Sequence, residues 1–169
     1  MTASRILDRL HESQRLAALK RYLVLDSGPE TAYDDITRMV AETLKVPIAL
    51  INILDSDRDW FKSRRGTLLE SSPRSTSFCA YLLTRPDEVL VVPDTHLHPL
   101  FKDHPMVTGE PFVRFYAGAP IVTADRMVMG TVCAYDFQPR SIATEQISEL
   151  AALASDVMAL LERRIFGIQ

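Results

Sequence analysis

Apolar residues in the first part of the chain fall on a single narrow line. Between residues 4 and 23, Ile6, Leu7, Leu10, Leu16 and Ala17 form a thin stripe on a mostly polar segment, which predicts a first helix. Ser27-Gly28-Pro29 stops that segment, and Pro29 suits the start of a second helix. This one, about Glu30 to Leu44, places Tyr33, Ile36, Met39, Val40 and Leu44 on one face. Residues 47–54 then run apolar with little alternation, as in a strand buried on both faces. Asp55-Ser56-Asp57-Arg58 supplies turn chemistry, and Asp59-Trp60-Phe61-Lys62-Ser63 reads as the returning strand of a hairpin.

The middle is less regular. Ser75 to Leu83 predicts a short helix, and Val89 to Val92 a strand ended by Pro93. Residues 94–112 contain four prolines or glycines and three histidines, which predicts a long ordered loop with one helical turn. Two apolar strands joined by a polar turn follow, from Arg114 to Asp136. A last helix begins at Thr144, read as its capping residue, and ends near Arg163 and Arg164. Along it Leu150, Leu153, Val157 and Leu160 step by 3, 4 and 3, flanked by Ile147 and Leu161. That spacing fits either a coiled-coil seam or a face packed on the domain's own sheet. The order of elements predicts an α+β fold, an antiparallel sheet with long helices on one face and loops on the other.

A chain of 169 residues is long enough for one domain with a proper core. Its formal charge of −3 points to neither nucleic acid nor a membrane surface as a partner. No apolar run approaches the ~20 residues that span a bilayer, and the first residues lack an apolar signal core. Two cysteines, Cys79 and Cys133, are too few for a disulfide framework. A cytoplasmic protein with reduced thiols is the expectation.

Small residues and aromatics cluster at the start of the last hairpin, in Arg114-Phe115-Tyr116-Ala117-Gly118. Glycine admits a ligand or another backbone, aromatics offer a face, and arginine pairs an anion. Together with Tyr22, Val24, Leu25 and Asp26, with Asp59-Trp60-Phe61-Lys62-Ser63, with Pro73-Arg74 and Ser77-Phe78-Cys79-Ala80, and with Gly130-Thr131-Val132-Cys133, this stretch resembles the GAF domain. The subgroup is the one often attached to bacterial histidine kinases and diguanylate cyclases. The resemblance covers about residues 14–163 of a single domain spanning 1–169, with terminal helices at 4–23 and 144–164.

What the resemblance implies is a PAS-related, six-stranded antiparallel sheet, terminal helices that form a homodimer, and a small-molecule pocket under the loops. Its partner would be a histidine kinase or cyclase output, in cis or in trans. No such output segment follows the last helix, which suits a module acting alone or one excised from a longer chain. Three positions depart from the subgroup: Tyr81 stands where histidine is usual, and His98 and His104 where an aspartate and an asparagine are common.

The expected ligand-binding residues are Trp60, Lys62, Phe78, Cys79, Asp94, Arg114, Tyr116 and Tyr135. Trp60 and Tyr116 would be walls, Arg114 and Lys62 charge partners, and Asp94 an acceptor or counter-ion. Arg58, Arg64, Arg65 and Arg74 can join Lys62 and Arg114 in an anion site, or protect a solvated hairpin edge. Arg114 can equally hold Asp59 or Asp94. Cys79 and Cys133 read as structural thiols or, in a GAF branch that reduces free methionine-R-sulfoxide, as catalytic ones. Covalent tetrapyrrole attachment is not expected, because alanine and tyrosine follow Cys79. His96, His98 and His104, with Asp94 and Asp103, offer metal-ligand types, but nothing fixes a complete set and no metal is expected. The alternative to a sensor is a thiol reductase or a ligand-free dimerisation scaffold.

Overall fold

The computed structural model describes residues 2–167, so residues 1, 168 and 169 of the expected domain lie outside the described residues. Two helices, α1 (Ala3–Arg21) and α2 (Thr31–Leu44), precede strands β1 (Ile48–Leu54), β2 (Arg58–Arg65) and β3 (Ser71–Pro73). Strand β4 (Leu90–Val92), a one-turn helix α3 (Pro105–Thr108), strands β5 (Phe115–Val122) and β6 (Val128–Asp136), and helix α4 (Thr144–Phe166) complete the chain. The strands form one sheet in the order β3-β2-β1-β6-β5-β4, with every neighbouring pair antiparallel.

The sheet separates two apolar layers. Ala49, Ile51 and Ile53 of β1 face the helices, with Phe115, Ala117, Ala119 and Ile121 of β5. They meet Tyr33, Ile36, Val40 and Leu44 of α2 and Leu150, Leu153, Val157 and Leu161 of α4. The heptad-like stripe of α4 is therefore spent on its own sheet, and Leu160 is half-buried at its margin. On the opposite face Leu50, Leu54, Phe61, Tyr116, Cys133 and Tyr135 pack under Phe78, Leu82, Phe101, Val107 and Val113 from the connecting loops.

Several boundaries differ from expectation. The 75–83 segment forms two short 3-10 turns, Arg74–Thr76 and Cys79–Thr84, instead of one helix. β3 is too short and too polar to announce itself by alternation. α4 is capped at Ala143, whose N–H donates to Gln146 Oε1 at 2.7 Å, so Thr144 is the first helical residue.

One register shift interrupts β2 next to the site. Between β1 and β2, Ile51 pairs with Ser63 and Asn52 with Phe61, leaving Lys62 as the extra residue of a bulge. Asp59 and Phe61 face the loop layer, while Trp60 joins the helical core. Lys62 and Ser63 both turn toward the helices. Lys62 Nζ donates to Gly28 O at 2.6 Å, and Ser63 Oγ donates to Asp34 Oδ1 at 2.6 Å.

Arg15, fully buried, ties α1 to the sheet. Its guanidinium donates to both carboxylate oxygens of Glu12 (2.9 and 2.8 Å) and to the carbonyls of Leu54 (2.7 Å) and Val128 (3.3 Å). Arg164 closes the other junction, donating to the carbonyls of Tyr22 and Leu23 and to Glu30. Among the described residues, no helix is long and apolar enough to cross a membrane.

Candidate functional site

The loop-side layer is closed over its centre and open at one end. At the centre, Phe78, Cys79 and Tyr116 have no exposed surface. The Phe78 ring stacks between Phe101 (4.8 Å between centroids) and Tyr116 (5.3 Å), with His104 4.4 Å away. Beneath them Cys79 Sγ receives the Thr131 hydroxyl at 2.9 Å and lies 3.1 Å from Tyr116 Oη and 3.8 Å from Cys133 Sγ. Burial pushes the Cys133 thiol and the Tyr116 and Tyr135 phenols well above their ordinary range, which keeps all three neutral.

Toward β1 and β2 the packing opens into a cavity of about 250 Å³. Ile48 and Leu50 of β1, Phe61 of β2 and Tyr135 of β6 form its floor, and Met106, Pro111 and Val113 of the long loop cover it. Leu69 and Phe137, both well exposed, stand at its edge. Asp59 is the charged residue of the lining, and is only 2% exposed. Its Oδ2 accepts from Asn52 Nδ2 at 2.8 Å and from Ser77 Oγ at 2.5 Å, while its Oδ1 has no partner. Burial pushes the Asp59 carboxyl up, against the opposing pull of Ser77, Asn52 and the Arg74 guanidinium.

A family model described as the GAF domain matches residues 28–161. The chain belongs to the GAF domain family. It is 38% identical over 149 residues to a cyclic di-GMP phosphodiesterase of Pseudomonas aeruginosa. The match takes in 88% of this chain but only 25% of that protein, so the GAF domain spans about a quarter of its relative's length. Among solved structures it resembles the GAF domain of an Acinetobacter phosphoenolpyruvate-protein phosphotransferase (TM-score 0.67, 19% identity, 100% of this chain and 98% of that one). It also resembles the free methionine-R-sulfoxide reductase of Neisseria meningitidis (TM-score 0.59, 17% identity, 98% and 92% coverage). Likeness at that identity concerns the fold alone. Family and relative together place this GAF domain in signal transduction, in a sensory or regulatory role.

Of the residues expected to bind ligand, the GAF fold brings Tyr135 to the cavity wall and Phe78, Cys79 and Tyr116 to the filled centre beside it. Trp60 and Lys62 lie on the other side of the sheet. Trp60 packs in the helical core; Lys62 is held by Ser27, Gly28 and Glu30, with its ammonium 4.9 Å above the Tyr33 ring. Alternation along β2 is the reason: Trp60 and Lys62, two residues apart, share the helical face, opposite Asp59 and Phe61. Asp94 and Arg114 hold each other, at 3.1 and 3.2 Å, at the far end of the loop layer. That settles which acid partners Arg114: Asp94, not Asp59.

The expected basic cluster is dispersed, and most of its cations meet an acid. Arg58 pairs Asp26 and Asp55, Arg64 approaches Glu70, and Arg74 pairs Glu12. His98 and His104 use Nδ1 to accept the N–H groups of Leu100 and Met106, a turn-forming role. No set of three metal-ligand side chains converges among the described residues. Asp59, Asn52 and Ser77 were not singled out as a site by sequence. Asn52 interrupting the apolar 48–54 run was the available signal, since a polar side chain in a doubly buried strand needs a partner.

Proposed function

We propose that this GAF domain is a bacterial cytoplasmic sensory module whose loop-side cavity binds a small molecule and whose terminal helices carry the response across a homodimer. The supporting observation is the continuity between cavity and helix. Ile48 and Leu50 line the cavity at one end of β1, and the Leu54 carbonyl at the other end accepts from Arg15 of α1. A shift of β1 on ligand binding reaches α1 through that one strand. Ligand acts only by favouring one helix arrangement over another; equal affinity for both would shift nothing. The output is a nucleotide-signalling enzyme or a kinase, in cis or in trans, in keeping with the phosphodiesterase that the chain resembles.

The filled centre around Phe78 and Tyr116 favours a second reading, a ligand-free dimerisation scaffold. Native mass spectrometry of protein freshly purified from cells separates the two. A bound small molecule released on denaturation supports the sensor. Bare protein that also fails to bind any member of a small-molecule library supports the scaffold.

A further inference from the structure

The ligand chemistry of the cavity is set by an acid with nothing to hold. Asp59 is almost completely buried, faces the cavity, and keeps Oδ1 unpartnered while Oδ2 takes both available donors. The neighbouring Asn52 carbonyl oxygen, Oδ1, is buried and unpartnered as well. Each orphaned acceptor is costly, since an unmade bond forfeits the solvation it had in water. What they lack is a donor. Among the described residues no lysine, arginine or histidine lines the cavity, so an anionic ligand would meet only a carboxylate there. The rest of the wall is chiefly apolar, and about 250 Å³ is less than the roughly 300 Å³ at which drug-sized pockets begin.

We infer that the cavity is a site for a small apolar amine, its protonated nitrogen donating to Asp59 Oδ1 and its hydrocarbon part lying against Leu50, Phe61 and Val113. This rests on the sensor reading of the cavity and adds the class of ligand. An ammonium supplies the missing donor and a counter-charge together, and charge-assisted bonds in a desolvated site are the strong ones. The wall is chiefly apolar, so it favours an amine with a hydrocarbon body.

Three probes of one shape test it on the full chain: 2-phenylethylamine, 2-phenylethanol and 3-phenylpropionate, titrated while the methyl resonances of Leu50, Met106 and Val113 are followed by NMR. The amine is expected to shift these methyls and to bind about tenfold tighter than the alcohol, with the acid weakest. In Asp59→Asn the preference for the amine over the alcohol is lost. Equal binding of all three probes overturns the amine assignment and leaves the sensor reading standing. No shift of these methyls by any probe overturns both. Should the variant fold poorly, the ranking of the three probes on the unaltered chain decides by itself.

Discussion

Gly118 lies beneath the ring of Tyr116, two residues earlier on the same face of β5. A β-carbon built at Gly118 would stand 2.7 Å from Tyr116 Cζ and closer still to the hydroxyl. Glycine is thus the condition for a tyrosine lying flat on the sheet, and that tyrosine fills the centre of the loop-side layer. Gly118→Ala forces the ring upward into Phe78 and should cost about 1–3 kcal/mol, as overpacking of a tight core does. Urea denaturation measures it. Adding Tyr116→Leu should make the pair cost less than the sum of the two single changes; strict additivity would show that the contact carries no strain.

Arg15 is the second pivot. Its guanidinium is buried and its acceptors come from α1, β1 and β6. Arg15→Leu strands Glu12 and two carbonyls and should cost about 3 kcal/mol, the low end for a broken buried pair because Glu12 keeps access to water. Faster amide exchange in α1, with the sheet still protected, would mark the loss as a detached helix. The Arg15 hydrogen bond, joined by charge from Arg15 and Arg74, also holds the Glu12 carboxyl below its ordinary value despite partial burial. Its contribution is complete above the unfolded-state value and fades as the pH falls through the folded one. The stability gap between Arg15→Leu and the parent should therefore narrow in acid.

Much of this architecture was legible in the chain. The apolar run of 48–54, the α2 stripe and the last hairpin each obeyed the periodicity of the element they form. The facing of β2 was not legible, because alternation puts Trp60 and Lys62 on one face without saying whether that face meets the helices or the loops; both were assigned to the wrong layer for that reason. The α4 stripe was ambiguous since a sheet and a partner helix ask for the same spacing. Asp59 was hidden by its neighbours. At the head of the Asp59-Trp60-Phe61 strand it reads as a strand residue or a counter-charge for Arg114, and only the buried Asn52–Asp59–Ser77 contacts reveal a site.

If the domain dimerises through its terminal helices, α1 offers an apolar surface for it. Ile6, Leu7 and Leu10 are 47%, 65% and 55% exposed and sit apart from the Arg15 anchor. A double change of Ile6→Glu and Leu10→Glu should turn the dimer into a monomer in sedimentation at micromolar concentration. The thermal midpoint of the core should hardly move, because neither residue belongs to it. A parent that is monomeric when concentrated would remove the homodimer from the proposal.

The two cysteines test the reductase alternative. Cys79 and Cys133 are free thiols, both without exposed surface. Native protein should react with an aromatic disulfide reagent far more slowly than protein in denaturant, with both thiols protected alike. Rapid labelling of Cys79 in the folded state, with turnover of free methionine-R-sulfoxide that Cys79→Ser abolishes, would restore the enzymatic reading.

Asp59 ought to weaken the fold it serves. Burial raises its carboxyl, while the facing donors, Ser77 and Asn52, and the Arg74 charge only partly compensate. For a carboxyl raised on folding, stability is fullest below the unfolded-state value, where the group is neutral in both states. It is lost as the pH climbs through the folded value, because the folded protein must then ionise a group it has desolvated. Asp59→Asn removes that titration. The variant should match the parent in acid and exceed it near neutrality, with a gap in thermal midpoint that widens as the pH rises and then levels off. A gap independent of pH would mean that Asp59 does not titrate differently in the folded chain. Saturating the parent with 2-phenylethylamine should close part of the gap at neutral pH, because the ammonium supplies the partner that the ionised carboxylate lacks. A site that costs stability when empty and recovers it when filled is the trade expected of a binding pocket rather than of a packing defect.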